Sequence, residues 1–406
     1  MRLLSFLAHQ ELRKMNLIKL EKRYCLFPTL QDNRMQQASN LPNSLGGRCW
    51  RPWVFMLCLG LQILPVAASQ VFYTTSNDAT DNQLIRFRSG ADGVMAEAGR
   101  FATGGLGIGR TLQASGSIAI SHDRRWLLAV NAGSDQISAF RLGPQGPRLT
   151  AVRDSGGKQP LSIAVSGRRV YVLNSGSSDI ASFNLTAAGR LEPLADDTVR
   201  PLSSTEARAT SLGVTTDGRH LVVAERGIDR LTTYAIGPNG LLSPGAQTIE
   251  TVAKSPYALS FLGKTIYSVF AGQGPEQSAV GAYRFDRQGD LVSLGDPLFS
   301  GQTAACWSAL SARRRLLYTA NAGSHTLTGL RLRGRPSMLN PDGVSADTGP
   351  DNHPRDMTFS PDGKTLAVIL SGEHSMGLYR VGLGGHLKLQ QTVTGIPGAA
   401  AGLVSK

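Results

Sequence analysis

The chain has 406 residues, of which 46 are glycine and 20 proline, so about one residue in six breaks regular backbone, against a usual share nearer one in eight. That density excludes a fold of long helices, and a hydrophobic fraction of 41% excludes a disordered chain. The formal charge of +13 suggests a polyanionic partner until it is located: residues 1–51 carry nine Lys/Arg against three acids, so nearly half the excess lies there.

In chain order, the first feature is an apolar run of about a dozen residues, Val54 to Val66, preceded by Arg48 and Arg51 and followed by Ala67-Ala68-Ser69. This is the layout of a secretory signal, too short to span a bilayer and ended by Pro65. It predicts an N-terminal extension and signal over residues 1–69, a mature chain starting near Gln70, and a periplasmic or secreted bacterial protein that meets a membrane only through the signal segment where that segment is left uncleaved. Met35 would give a signal of more ordinary length. Cys25, Cys49 and Cys58 precede the expected cleavage point, which leaves Cys306 alone and no intramolecular disulfide.

From residue 70 onward one unit repeats. A short apolar strand ending in a glycine-containing turn recurs with Gly133, Gly176, Gly227, Gly272, Gly323 and Gly372 at intervals of about 43 to 51 residues, and a weaker copy starts near Val71. Each copy is followed by a strand of alternating apolar residues and preceded by another strand and a tight hairpin. Pro361-Asp362-Gly363 is the clearest such hairpin and Thr216-Asp217-Gly218 its counterpart. Three to four strands per repeat, seven times, predict an all-β, seven-bladed β-propeller over residues 70–406. The closing segment Pro397 to Leu403 matches the innermost-strand position, so the C-terminus is expected to complete blade one and close the ring.

The specific pieces of this pattern are His353 through Lys364, the Leu221–Arg230 blade, Gly301 through Trp307, and the terminal Ala400 to Leu403. They resemble the lactonase-family seven-bladed propellers, which include bacterial 6-phosphogluconolactonase and carboxymuconate-lactonizing enzymes, and the last three pieces look most like an exported branch of that family. The resemblance implies catalysis by a histidine, arginines and a glutamate at one mouth of the central channel, without a cofactor.

Loops that lead into the innermost strands and loops joining second to third strands converge on that mouth. They bring together Arg208, Glu225, His353 and Arg355, the densest set of chemistry-capable side chains. A lactonase needs an anion anchor, a base for water and a proton donor for the leaving alkoxide. Arg208 and Arg355 are assigned as anchors, and Glu225 and His353 as base and acid. The histidine that the family places one blade earlier is absent, its position taken by Lys158-Gln159-Pro160.

Each of these residues also has a purely structural role open to it. Glu225 makes an inter-blade ion pair with Arg226 or Arg230; Asn131, Asn174 and Asn321 serve turn geometry; Cys306 and Trp307 are packed core. His325 and His374 lack metal-ligand spacing. Arg313-Arg314-Arg315 falls on a hairpin at the opposite face, and Arg331, Arg333 and Arg335 run down an outer strand. The residual charge is thus expected to be spread over turns and edges, with no nucleic-acid partner. A monomer is expected, acting on a small anionic ligand or lactone, or else binding a small ligand or protein without catalysis.

Overall fold

The computed structural model describes residues 69–195, 199–333 and 335–406. The apolar run 54–66, its flanking cleavage residues Ala67 and Ala68, and three of the four cysteines lie outside them. The described chain forms seven antiparallel sheets of four or five strands, taken in chain order around a ring. Blade four is representative: an inner strand Ala209–Val214, a second strand His220–Glu225, a third Arg230–Ala235 and an outer Gln247–Glu250.

The second strands are the most buried, with Leu221, Val222, Val223 and Ala224 inaccessible to solvent, because both faces of each sheet are covered by neighbouring blades. Between blades lie tyrosines whose rings fill the gap and whose hydroxyls reach a neighbouring blade. Tyr171 donates to the Gly240 carbonyl at 2.7 Å and Tyr234 to that of Pro201 at 2.5 Å. Burial pushes the Tyr171 phenol up to about 12, so it remains a donor throughout the useful pH range.

The predicted hairpins form as their residues dictate. Asp362 accepts from Ser360 Oγ at 2.6 Å and from the Lys364 amide at 3.0 Å, while Gly363 takes φ +68°. Asp217 repeats the pattern with Thr215 and the Arg219 amide, and Asp123 with Ser121 and the Arg125 amide.

The ring closes by the expected strand. Ala401–Ser405 is the innermost strand of blade one, antiparallel to Val71–Thr75 with Phe72 opposite Ser405 and Thr75 opposite Ala401. Thr74 Oγ1 donates to the Gly402 carbonyl at 2.6 Å, and Thr75 Oγ1 to that of Ala401 at 2.9 Å.

One sequence-level expectation needs correction. The hairpins joining inner to second strands all lie on the ring face opposite the mouth. In blades two to seven they carry Arg124, Arg125, Arg168, Arg169, Arg219, Lys264, Arg313, Arg314, Arg315 and Lys364. These ten basic residues are collected onto one face, because turns about 48 residues apart in sequence become neighbours when the ring closes.

Candidate active site at the channel mouth

Loops leading into the inner strands line the opposite end of the channel. Several of these positions take left-handed backbone, among them Gln159 (φ +52°), Arg208 (φ +41°), Ser255 (φ +59°) and Ala304 (φ +55°). The tight turn of the preceding blade fixes two of them: Asp135 Oδ1 accepts from the Gln159 amide at 2.7 Å, and Asp229 Oδ1 from that of Ser255 at 2.8 Å. Two histidines stand at the corresponding turns of blades six and seven. His325 Nδ1 donates to the Asn352 carbonyl, and the His374 ring packs against Gly398. Both histidines are thereby used as inter-blade ties.

Two adjoining hollows open at the mouth. The first, about 330 Å³, is lined by His353, Arg355, Arg226, Gln113, Cys306 and Trp307 among others. The second, about 190 Å³, is lined by Arg110, Arg208 and Gln159, and shares Thr111, Gln113 and Arg226 with the first. Four arginines therefore face one mouth, and among the described residues no Asp or Glu lines either hollow. Among the described residues no group of three potential metal-ligating side chains comes together.

His353 is solvent-exposed, and its Nδ1 lies 3.0 Å from the Ala322 carbonyl. A carbonyl can only accept, so Nδ1 carries the proton and the neutral ring keeps its lone pair on Nε2. The His325 ring stands against it, with centroids 4.8 Å apart, and limits its rotation.

The floor is closed by packed aromatic rings. Trp307 is 5% exposed, and its indole N–H donates to the Ala114 carbonyl at 2.8 Å, spanning the channel from blade six to blade two. Tyr257 packs against it at 5.3 Å between ring centroids, and the Arg226 guanidinium lies 5.9 Å from the centre of the Tyr257 ring. Cys306 is half-buried by surface exposure, yet it is enclosed closely enough that burial pushes its thiol up to about 12. A protonated thiol at neutral pH is no nucleophile.

Beside the floor, Arg355 donates to the Gly398 carbonyl at 3.2 Å, and its neighbour Asp356 is buried. Burial raises the Asp356 carboxyl to about 7, against the opposing pull of the Gly402 amide and the Arg355 charge. A carboxyl raised in the folded state holds its proton longer there than in the unfolded chain, whose value is 3.8. The unfolded state therefore binds fewer protons between about pH 4 and 7, and stability falls across that window by an amount on the order of a few kcal/mol. Asp356→Asn keeps an acceptor for the Gly402 amide and removes the charge. Its melting temperature is expected to exceed the parent's above pH 7, the two curves converging near pH 4 in thermal melts.

Of the four residues assigned from sequence, the structure brings His353 and Arg355 to one hollow and Arg208 to the other. Glu225 lines neither. It is fully buried, and its carboxylate accepts from the Ser203 amide at 3.0 Å and from the Ser203 hydroxyl. Among the described residues no arginine pairs with it; Arg230 bridges Glu250 instead, at 3.2 Å. Glu225 occupies the strand-end position held elsewhere by the buried Asn131, Asn174 and Asn321, which likewise bond to nearby chain. Glu225→Gln, which retains one acceptor oxygen, is expected to melt close to the parent. Glu225→Ala should cost about 1–3 kcal/mol in denaturant melts, because the Ser203 amide loses its partner.

Arg226 is the residue that sequence reasoning passed over as a mere ion-pair partner. Its position, immediately after the second strand, holds Ser76, Ala132, Ser175, Ala271, Ala322 and Ser371 in the other six blades. One arginine in a ring of small residues was a readable signal.

The sequence matches the seven-bladed β-propeller lactonase family over residues 67–204, 117–261 and 239–401, which together span nearly the whole ring. The chain belongs to this lactonase family. Solved structures with the same lactonase-family fold include a Bacteroides fragilis protein provisionally described as a 6-phosphogluconolactonase, 17% identical, covering 84% of this chain and 99% of that one with a TM-score of 0.67. The periplasmic gluconolactonase of Pseudomonas aeruginosa is 20% identical, covering 83% of this chain and 99% of that one with a TM-score of 0.63. Among curated proteins, an uncharacterised Staphylococcus epidermidis protein is 21% identical over 187 residues, which is 45% of this chain. The matched segment spans about half of that relative, 54% of its length.

Proposed function

We propose that this lactonase-family propeller hydrolyses a sugar-acid-type lactone that carries a negative charge. The observation that carries the reading is the composition of the two hollows: one histidine with Nε2 free, four arginines and, among the described residues, no carboxylate, over a floor closed by Trp307. His353 Nε2 takes a proton from water as the oxygen adds to the lactone carbonyl. Arg355 and Arg226 hold the oxyanion that forms, while Arg208 and Arg110 anchor the substrate's anionic group by their planar forks. Collapse of the tetrahedral adduct breaks the ring C–O bond, and the His353 imidazolium returns its proton to the departing alkoxide. Water and lactone become one hydroxy acid, which ionises and releases a proton. His353 thus serves as base and then acid, the duties assigned from sequence to two residues.

The run 54–66 with its Ala67-Ala68-Ser69 end supports export, and the periplasmic gluconolactonase with the same fold is in keeping with it. Paired initial-rate assays on a charged lactone and its neutral counterpart test the assignment. Arg226→Ala is expected to raise KM for the charged substrate about tenfold or more and to lower kcat for both. Absence of turnover on every sugar-acid lactone tried would leave a propeller that binds without catalysis.

A further inference from the structure

We propose that the ring face opposite the mouth is a docking surface for an anionic lipid bilayer. Its inner-to-second-strand hairpins hold the ten Arg and Lys residues named above against Asp123, Asp217 and Asp362, and each of these acids is already bonded within its own turn. Eight of the ten bases are solvent-exposed; Arg169 and Arg314 are half-buried, and Arg314 is held by the Val381 and Gly382 carbonyls. The third-to-fourth-strand turns farther out on this face add Arg190 and Arg287 against Asp92, Asp286 and Asp290, so the excess is concentrated around the channel axis.

The mouth face has the reverse pattern at its rim. Its turns carry Asp78, Asp135, Asp229, Glu276, Asp351 and Glu373; Lys158 and Lys254 there are paired with Asp135 and Asp229, and four arginines face the hollows. The two faces would respond oppositely to a negative plane, and only one orientation is attractive. In that orientation the mouth is left open to solvent.

Two further observations favour a bilayer over a soluble polyanion. Leu383 is fully exposed (105%) at the tip of a turn on the basic face in blade seven, and Val94 is 51% exposed beside the adjoining turn of blade one. Apolar side chains at the edge of a basic field suit the headgroup boundary. The described chain also begins on this face, between the same two blades: Ser69 Oγ donates to the Ser89 carbonyl, and the Gln70 side chain to Thr365 Oγ1 at 3.1 Å. The apolar run 54–66 ends three residues before Ser69.

The test is vesicle co-sedimentation of the full chain with phosphatidylcholine vesicles and with phosphatidylcholine vesicles containing 30% phosphatidylglycerol, at about 50 and 300 mM salt. The expected result is tight binding only to the anionic vesicles, weakened by salt. Arg125→Glu/Arg168→Glu/Arg313→Glu should weaken it on the order of 100-fold, and Leu383→Asp by a smaller factor, with melting transitions like the parent's. The mouth-side control Arg153→Glu/Lys158→Glu/Lys254→Glu should leave it within a few fold. Equal binding to neutral and anionic vesicles, or equal loss in the control, would overturn the proposal. So would preferential binding to a duplex DNA oligomer at matched salt, which would make the face a nucleic-acid surface.

Discussion

Removal of residues 395–406 is expected to abolish cooperative unfolding. The segment supplies the innermost strand of blade one, and its Ile396, Ala400, Ala401 and Leu403 are each less than 7% exposed. Ile396, Ala400 and Leu403 pack in one cluster with Phe72, Ile85, Met376 and Leu378, which join blade one to blade seven, and Ala401 packs in the cluster that holds Ala114 and Val130 of blade two. Each large apolar side chain returned to water costs about 1.5–3 kcal/mol, and the partners in the cluster are uncovered together. The ladder to Val71–Thr75 and the two threonine bonds go as well. Against a typical stability of about 5–15 kcal/mol, that loss is decisive, and it leaves an open strand edge prone to association. Circular dichroism during heating should show a broad change without a sharp midpoint. A truncated chain melting like the parent would show that the ring is closed by other contacts.

His353→Ala is expected to lower kcat for lactone hydrolysis by about 10²–10³, the usual contribution of a positioned acid–base group, while KM stays within about threefold. The imidazole has one hydrogen bond to the body of the protein, to the Ala322 carbonyl, and it is exposed, so the melting temperature should move little. Added imidazole should restore part of the rate, because the hollow vacated beside Arg355 and Arg226 can admit it. This combination separates chemistry from structure. A variant with unchanged kcat, or one whose loss tracks a lowered melting temperature, would remove His353 from the reaction.

The blades were legible because each carries its own strand pattern and turn chemistry, as in Ser360 to Lys364. Closure was legible because the C-terminal segment copies a motif already seen six times. Site assignment was harder for a reason visible at Glu225. Repetition had placed Asn131, Asn174 and Asn321 in turn geometry, and Glu225 holds the same position one blade on, but its charge drew it into the chemistry. Arg226 was undervalued for the converse reason, since its neighbours in the ring are small and only a ring-wise comparison exposes it. Contacts across the channel had no local signal at all: Trp307 and the Ala114 carbonyl are 193 residues apart. The basic face was hidden in the same way, because hairpin charges a blade apart look dispersed along a chain and become adjacent only in a closed ring.

Hydrolysis of a charged lactone at the mouth through His353 and Arg226 has a direct readout, since the hydroxy acid formed releases a proton. The most direct measurement is proton release in a pH-stat on mixing a sugar-acid lactone bearing a phosphate or carboxylate with the parent and with Arg226→Ala/His353→Ala, both folded by their melting curves. Release well above the spontaneous rate in the parent, falling to that rate in the double variant, is the predicted result. Equal release in both, or no release above the spontaneous rate in either, would contradict it.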